Sequence, residues 1–112
     1  MILAIPITEG KLTQRFGECE SYFFISADRE EKRLGKGVIE VAPPHAMHHL
    51  PDWIAKKGGE VVIAGAMTDR AKSLFEYHGL KVVMAGDTQM NPEELAQAWA
   101  EGHFDNKIED GD

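Results

Sequence analysis

The stretch Glu60–Val82, EVVIAGAMTDRAKSLFEYHGLKV, decides the fold class of this chain. It opens with a short, continuous apolar run, which is typical of a strand that is buried on both faces. Thr68 then suits a helix N-cap, and Gly79 suits the position that follows a helix C-terminus. A second apolar run, Leu80–Ala85, completes a strand–helix–strand unit. Such units build parallel sheets through right-handed crossovers, so we predict an α/β protein.

The flanking segments extend this unit in both directions. The last helix has the clearest start, because Asn91-Pro92-Glu93-Glu94 combines an N-cap, a proline at the first helical position and a glutamate at the third. We predict a five-stranded mixed sheet in three layers, with its second strand antiparallel and with helices on both faces. The further elements are strands over Ile2–Ile7, Ser21–Ala27 and Lys32–Val41, the last weakened or bulged by Gly35 and Gly37, and helices over Leu50–Lys57 and from Asn91 to Gly102.

Composition limits the classes of function. The 112 residues are 43% hydrophobic and 28% charged, which is typical of one globular domain. We assign this domain to 1–104 and expect 105–112 to be an acidic, disordered tail. The net charge of −7 argues against nucleic-acid binding, which needs a basic face. Pro6 ends the N-terminal apolar run and Cys19 has no disulfide partner, so we expect a cytoplasmic chain without membrane contact.

Four segments are expected at the carboxyl edge of the predicted parallel strands, where open α/β sheets bind ligands. Three histidines and the lone cysteine fall in two of these segments, and imidazole and thiolate are ligands for copper, iron and zinc. The alternatives are polar loop or helix-cap roles for the histidines and a small buried thiol for the cysteine. The segments are Thr8–Cys19, Ala42–His49, Gly65–Thr68 and Gly86–Asn91, and the candidate metal ligands are His45, His48, His49 and Cys19.

Backbone groups offer a second kind of binding at this edge. Gly65-Ala66-Met67-Thr68 runs from a strand end into a helix start, where backbone N–H groups can bind an anion. It matches neither G-x-G-x-x-G nor a P-loop, so nucleotide binding is not indicated. The sequence has no G-x-S-x-G and no carboxylate pair placed for acid–base work, so we predict that the chain is not an enzyme. Four methionines near this edge are soft-metal donors or, alternatively, core filler: Met47, Met67, Met84 and Met90.

Three stretches of the chain resemble the dinitrogenase iron–molybdenum cofactor biosynthesis family. They are MILAIPI at Met1–Ile7, RFGECESYFFI at Arg15–Ile25, and the quoted stretch Glu60–Val82. The resemblance implies a ribonuclease-H-like three-layer fold with strand order 3-2-1-4-5. It also implies carriage or storage of a molybdenum- or iron-containing sulfide cluster. For the partners of the chain we expect cluster donor and acceptor proteins, and for its oligomeric state a monomer or weak dimer. One branch of the family, the orange proteins, binds a molybdenum–copper sulfide cluster.

The resemblance also suggests separate roles for the candidate site residues in holding a cluster. Many family members have a histidine before F-G, where this chain has Arg15. Its guanidinium could hold a negatively charged, thiomolybdate-like ligand through charge and hydrogen bonds. A cofactor-free protein-interaction or regulatory module is the alternative function, and an enzyme acting on a small anion is a third. The predicted cofactor-binding residues are Arg15, Phe16, Gly17, Gly65, Ala66, Met67 and Thr68, beside the metal ligands His45, His48, His49 and Cys19.

Overall fold

A mixed sheet forms the middle layer of the protein, with helices on both of its faces. The computed structural model describes residues 1–13, 20–41, 50–86, 88 and 90–104. The predicted acidic tail at 105–112 lies outside these ranges. The elements follow one another as β1 (Ile2–Thr8), β2 (Lys11–Leu12), β3 (Ser21–Asp28), β4 (Arg33–Val41), α1 (Leu50–Lys56), β5 (Val61–Ala64), α2 (Asp69–Tyr77), β6 (Lys81–Met84) and α3 (Pro92–Ala100).

The strands lie in the spatial order β4-β3-β1-β5-β6, and β2 pairs with β1 off this path. β1 and β4 are both antiparallel to β3, whereas β5 is parallel to β1 and to β6. The predicted mixed α/β fold is therefore confirmed. The prediction of five strands is wrong, because the described part of the sheet has six. The added strand, β2, has two residues, which is too short for an apolar pattern to reveal.

Two hydrophobic cores lie on opposite faces of the sheet. The first core joins alternate residues of β1, such as Leu3 and Ile5, to Trp99 of α3. The second core joins Ala4 of β1 to Ile54 of α1 and Phe75 of α2. This two-sided burial explains why β1 reads as a continuous apolar run. In the described ranges, the helices are too short or too polar to cross a membrane.

The starts of α2 and α3 confirm the caps that the sequence predicts. The Thr68 hydroxyl accepts a hydrogen bond from the N–H of Ala71 at 3.1 Å. The Asn91 side chain accepts one from the N–H of Glu94 at 2.8 Å, and the Glu94 carboxylate accepts one from the N–H of Asn91 at the same distance. This reciprocal pair is a capping box, and it fixes where α3 begins.

Replacing this cap gives a first prediction. We expect Asn91→Ala to lower the free energy of unfolding by about 1 kcal/mol, because the N–H of Glu94 loses the side-chain oxygen that accepts its hydrogen bond. Urea denaturation followed by circular dichroism measures the change. Asn91→Ser is the control, because serine also caps helices and should retain most of the stability. Equal losses in both variants would contradict a role for the capping box.

The edge strand β4 contains the irregularity that its glycines predict. The pairing with β3 shifts by one residue, since Ile25 opposes Gly37 whereas Ala27 opposes Leu34. The extra residue of β4 makes a β-bulge. At Gly37, which follows the bulge in sequence, a side chain would collide with the ring of Phe23. This aromatic ring therefore lies directly over the backbone of β4. The glycine is needed for that close approach.

Candidate functional site

The carboxyl ends of the parallel strands meet at one edge of the sheet. β1, β5 and β6 end there at Thr8, Ala64 and Met84. β3 runs the opposite way, so its first residue, Ser21, lies at the same edge opposite Ile7. Ligand sites of open α/β sheets form at such an edge. We call it the carboxyl edge, and in the described ranges it comprises residues 8–13, 20–21, 41, 65–68 and 85–86.

A tight hairpin between β1 and β2 forms one wall of the carboxyl edge. Its turn residues, Glu9 and Gly10, have φ values of +55° and +81°, in the left-handed region that two-residue hairpin turns favour. The hydroxyls of Thr8 and Thr13 form a hydrogen bond of 2.7 Å. The N–H of Thr13, which is itself buried, donates to the carbonyl oxygen of Pro6 at 2.9 Å. Hydrogen bonds therefore hold this wall on both sides of the turn.

The turn Gly65–Thr68 lies beside this wall, between β5 and α2. Gly65 is buried, Met67 is partly buried, and Ala66 and Thr68 are exposed. Thr68 caps α2, so the first-turn N–H groups and the positive end of the helix dipole lie at the carboxyl edge. This arrangement favours a bound anion. The four predicted backbone-donor residues are thus brought to the edge, and their role in binding stays a prediction.

Three methionines accompany these turns. Met67 and Met84 pack against the second core, and Met90 packs against the first. All three are partly buried, which fits the core-filling alternative. The thioether sulfurs of these methionines would also suit a soft metal such as copper(I).

The described charges of the carboxyl edge nearly balance. Glu9 and Glu20 are acidic and Lys11 is basic, and Asp69 and Arg70 add one charge of each sign in the first turn of α2. All five side chains are exposed, and the Glu20 carboxylate accepts a hydrogen bond of 3.4 Å from the N–H of Glu9. An anion at this edge would therefore depend on backbone N–H groups or on a cation elsewhere in the chain, more than on the field of these residues.

Seven predicted site residues lie outside the described ranges. They fall in the segments 14–19 and 42–49, and three of the described residues that bound these segments belong to the carboxyl edge. Thr13 and Glu20 bound the first segment, and the N–H of Glu20 donates to the carbonyl oxygen of Ile7 at 3.2 Å. Val41, which bounds the second segment, opposes Ser21. The seven are Arg15, Phe16, Gly17, Cys19, His45, His48 and His49.

The metal ligands predicted from the sequence therefore remain a prediction. Within the ranges that the structure describes, no group of three or more His, Cys, Asp or Glu side chains could hold a metal ion. His78, by contrast, is the C-cap of α2, as its position before Gly79 suggests. It belongs to the opposite edge of the sheet, because the next residues lead into the start of β6.

A shallow cleft beside β4 is a feature that the sequence analysis did not predict. The cleft has a volume of about 240 Å³ and lies where β3, β4 and the end of α1 meet. An ion pair of 3.4 Å between Lys57 and Glu40 crosses it. The cleft is remote from the turn Gly65–Thr68, so the two features are separate. Its lining residues are Ile2, Phe24, Ile25, Ser26, Lys36, Val38, Glu40 and Lys57.

Comparison with known proteins gives relatives of similar length. The chain is 27% identical over 109 residues to the uncharacterized protein MJ0580 of Methanocaldococcus jannaschii, covering 94% of this chain and 90% of that one. The crystal structure of PH0822 superimposes with a TM-score of 0.80 at 20% identity, over 91% of this chain and 90% of the other. The apo form of the orange protein from Desulfovibrio gigas gives a TM-score of 0.67 at 15% identity, over 90% and 88%.

These structural likenesses establish a shared fold. The sequence comparison goes further, because the family model described as dinitrogenase iron-molybdenum cofactor matches residues 1–102. That match spans both cores, the whole carboxyl edge and all the predicted ligand residues. It confirms the resemblance found in the sequence: this chain belongs to the dinitrogenase iron–molybdenum cofactor family.

Proposed function

We propose that this chain binds and carries a metal–sulfur cluster or its precursor at the carboxyl edge. The cargo is a sulfide cluster that contains molybdenum, iron or both, with copper as a further component. The observation that carries the proposal is the family match over residues 1–102, which relates the chain to the handling of an iron–molybdenum cofactor. The structural likeness to the orange protein agrees with it at the level of the fold.

The geometry of the carboxyl edge supports an anionic cargo. Metal–sulfide clusters carry negative charge, and the turn Gly65–Thr68 presents a helix N-terminus with backbone N–H groups. The hydrogen-bonded wall at Thr8 and Thr13 gives the edge a fixed border. Such a preformed border reduces the ordering cost of binding. The described residues thus offer the cluster backbone N–H groups as hydrogen-bond donors and methionine thioethers as donors to a soft metal.

Direct ligation is assigned to residues outside the described ranges. We propose His45, His48 and His49 as imidazole ligands and Cys19 as a thiolate ligand, because these donors suit iron, copper and molybdenum–copper sulfides. Arg15, Phe16 and Gly17 would form the facing wall, with the guanidinium of Arg15 as an additional cation beside the nearly balanced charges of the described edge. The cluster would then be held partly by ligation and partly by charge and hydrogen bonds.

The proposal extends to the setting in which the chain works. A cargo that must be passed on calls for donor and acceptor proteins and for a reducing compartment, so we propose a cytoplasmic carrier without catalytic activity. The strand order β4-β3-β1-β5-β6, counted without β2, supports the ribonuclease-H-like fold that the resemblance implies. We accordingly interpret the fold as ribonuclease-H-like with an added hairpin.

Anaerobic reconstitution tests the proposed function. The purified chain is incubated with iron and sulfide, or with thiomolybdate and copper(I), then desalted and assayed for visible absorption and metal per chain. We expect charge-transfer bands and a stoichiometric metal content in at least one of the two reactions. A colourless, metal-free chain after both reactions would contradict the carrier proposal, and co-elution of that chain with a protein partner would favour the interaction module.

A further inference from the structure

The two edges of the sheet differ in a way that the proposed function does not explain. At one edge, β6 has four residues, and its Val82 and Val83 are buried. At the other, β4 has nine residues, and Val38, Ile39 and Val41 are 49%, 62% and 78% exposed. In the described part of the chain, no strand pairs with the outer side of β4. A long apolar edge strand of this kind is a template for pairing with another strand.

The sequence of β4 is complementary to itself in one antiparallel register. Residues that oppose each other across an antiparallel pair of strands have side chains on the same face of the sheet, and side chains alternate between faces along a strand. Two copies of β4 can therefore pair only in registers in which one residue, at the centre, opposes itself. A centre at Lys36 or at Glu40 would oppose like charges. A centre at Gly37 or at Ile39 would oppose a charge with a valine. A centre at Val38 opposes Lys36 of each copy with Glu40 of the other.

The neighbouring positions support the same register. Lys36, Val38 and Glu40 lie together along the cleft on the second-core face. On the opposite face, the register brings Ile39 of each copy beside Gly37 of the other. Gly37 has no side chain, and the ring of Phe23 lies over it. The exposed Ile39 would therefore cover this glycine and contact the aromatic ring, a packing that stabilises edge glycines in sheets.

We propose that two copies of this chain associate through β4, in an antiparallel pair centred on Val38, to form one continuous sheet. The paired segment is short, because the β-bulge below Lys36 ends the regular ladder. The interface is accordingly smaller than those of permanent dimers, and association is weak. The two-fold axis is perpendicular to the sheet, so the carboxyl edges of the two copies lie at opposite ends of the dimer.

Sedimentation velocity measures the association directly. For the wild-type chain, we expect the weight-average molecular mass to rise from 12.4 kDa towards twice this value as the protein concentration increases from about 10 µM to about 1 mM. This range covers the dissociation constants expected for a small interface. A mass that stays at 12.4 kDa over this range would overturn the proposal.

Charge reversal tests the register. In the proposed dimer, Lys36→Glu and Glu40→Lys each place two pairs of like charges opposite each other across the interface. We expect each substitution to weaken association about tenfold. The double variant Lys36→Glu/Glu40→Lys restores opposite charges and should recover most of the affinity. Lys81→Glu on β6 is the matched control and should have no effect, since Lys81 is exposed on the other edge. Circular dichroism checks each fold, because Glu40 also pairs with Lys57. Failure of the double variant to recover, with all variants folded, would overturn the register.

Discussion

Replacing His45, His48 and His49 together with alanine is expected to abolish stoichiometric cluster binding. The three imidazoles are donors for copper, iron and zinc, and they fall within five residues of sequence. Loss of one ligand typically weakens a metal site strongly, and loss of three leaves Cys19 as the only thiolate or imidazole among the proposed ligands. Reconstitution of the triple variant, followed by visible absorption and metal per chain, measures the effect.

A matched control is provided by the two remaining histidines. His78 caps the end of α2 and His103 follows α3, and both are exposed. The variant His78→Ala/His103→Ala should keep its charge-transfer bands. If the triple variant retains full metal content, the histidines are not ligands, and binding must depend on Arg15 and Cys19. A similar loss in both variants would indicate a general effect of imidazole removal and would contradict a localised site.

Trp99→Ala is expected to lower the free energy of unfolding by about 3 to 5 kcal/mol, which is a large part of the about 5 to 15 kcal/mol of a typical domain. Trp99 is 1% exposed and fills the space between α3 and the sheet in the first core. The guanidinium carbon of Arg29 lies 4.6 Å from its ring centroid, and this cation–π contact would be lost as well. Urea denaturation followed by far-UV circular dichroism measures the change without relying on tryptophan fluorescence.

Two further variants define the cause of that loss. Trp99→Phe keeps an aromatic ring and removes an indole N–H for which the described residues supply no acceptor, so we expect a much smaller loss. Trp53→Ala removes a partly buried ring that packs edge-on against Tyr22 and Phe24 in the second core, and its cost should be intermediate. If Trp99→Ala costs no more than Trp53→Ala, the first core depends less on this side chain than its burial indicates.

Much of the fold follows from local sequence signals. The cap of α2 at Thr68 and the capping box of α3 at Asn91 could be predicted because each depends on residues within one turn. The bulge in β4 followed from its glycines. The hairpin that adds β2 was missed, because Glu9-Gly10 is its main signal and the two residues of β2 show no alternation. A two-residue turn with a glycine at its second position was the feature that could have revealed it.

The candidate site was predictable only in outline. The segments that reach the carboxyl edge follow from strand direction alone, and the turn Gly65–Thr68 lies there as expected. Which side chains of other segments approach it depends on loop conformations, which apolar periodicity does not encode. The exposed face of β4 could not be predicted either. Its apolar residues are of the kind that a sheet buries, and only the tertiary structure shows which of them remain exposed.

Amide chemical shifts during cluster loading test the central claim most directly. The chain is labelled with ¹⁵N and titrated anaerobically with thiomolybdate and copper(I), which give diamagnetic products. Among the described residues, binding at the carboxyl edge predicts the largest shift changes at Gly10, Gly65, Ala66 and Thr68. Little change is expected at Gly59 and Gly79, which precede β5 and β6 at the opposite edge. Changes confined to Gly59 and Gly79, with the carboxyl edge unaffected, would contradict the account.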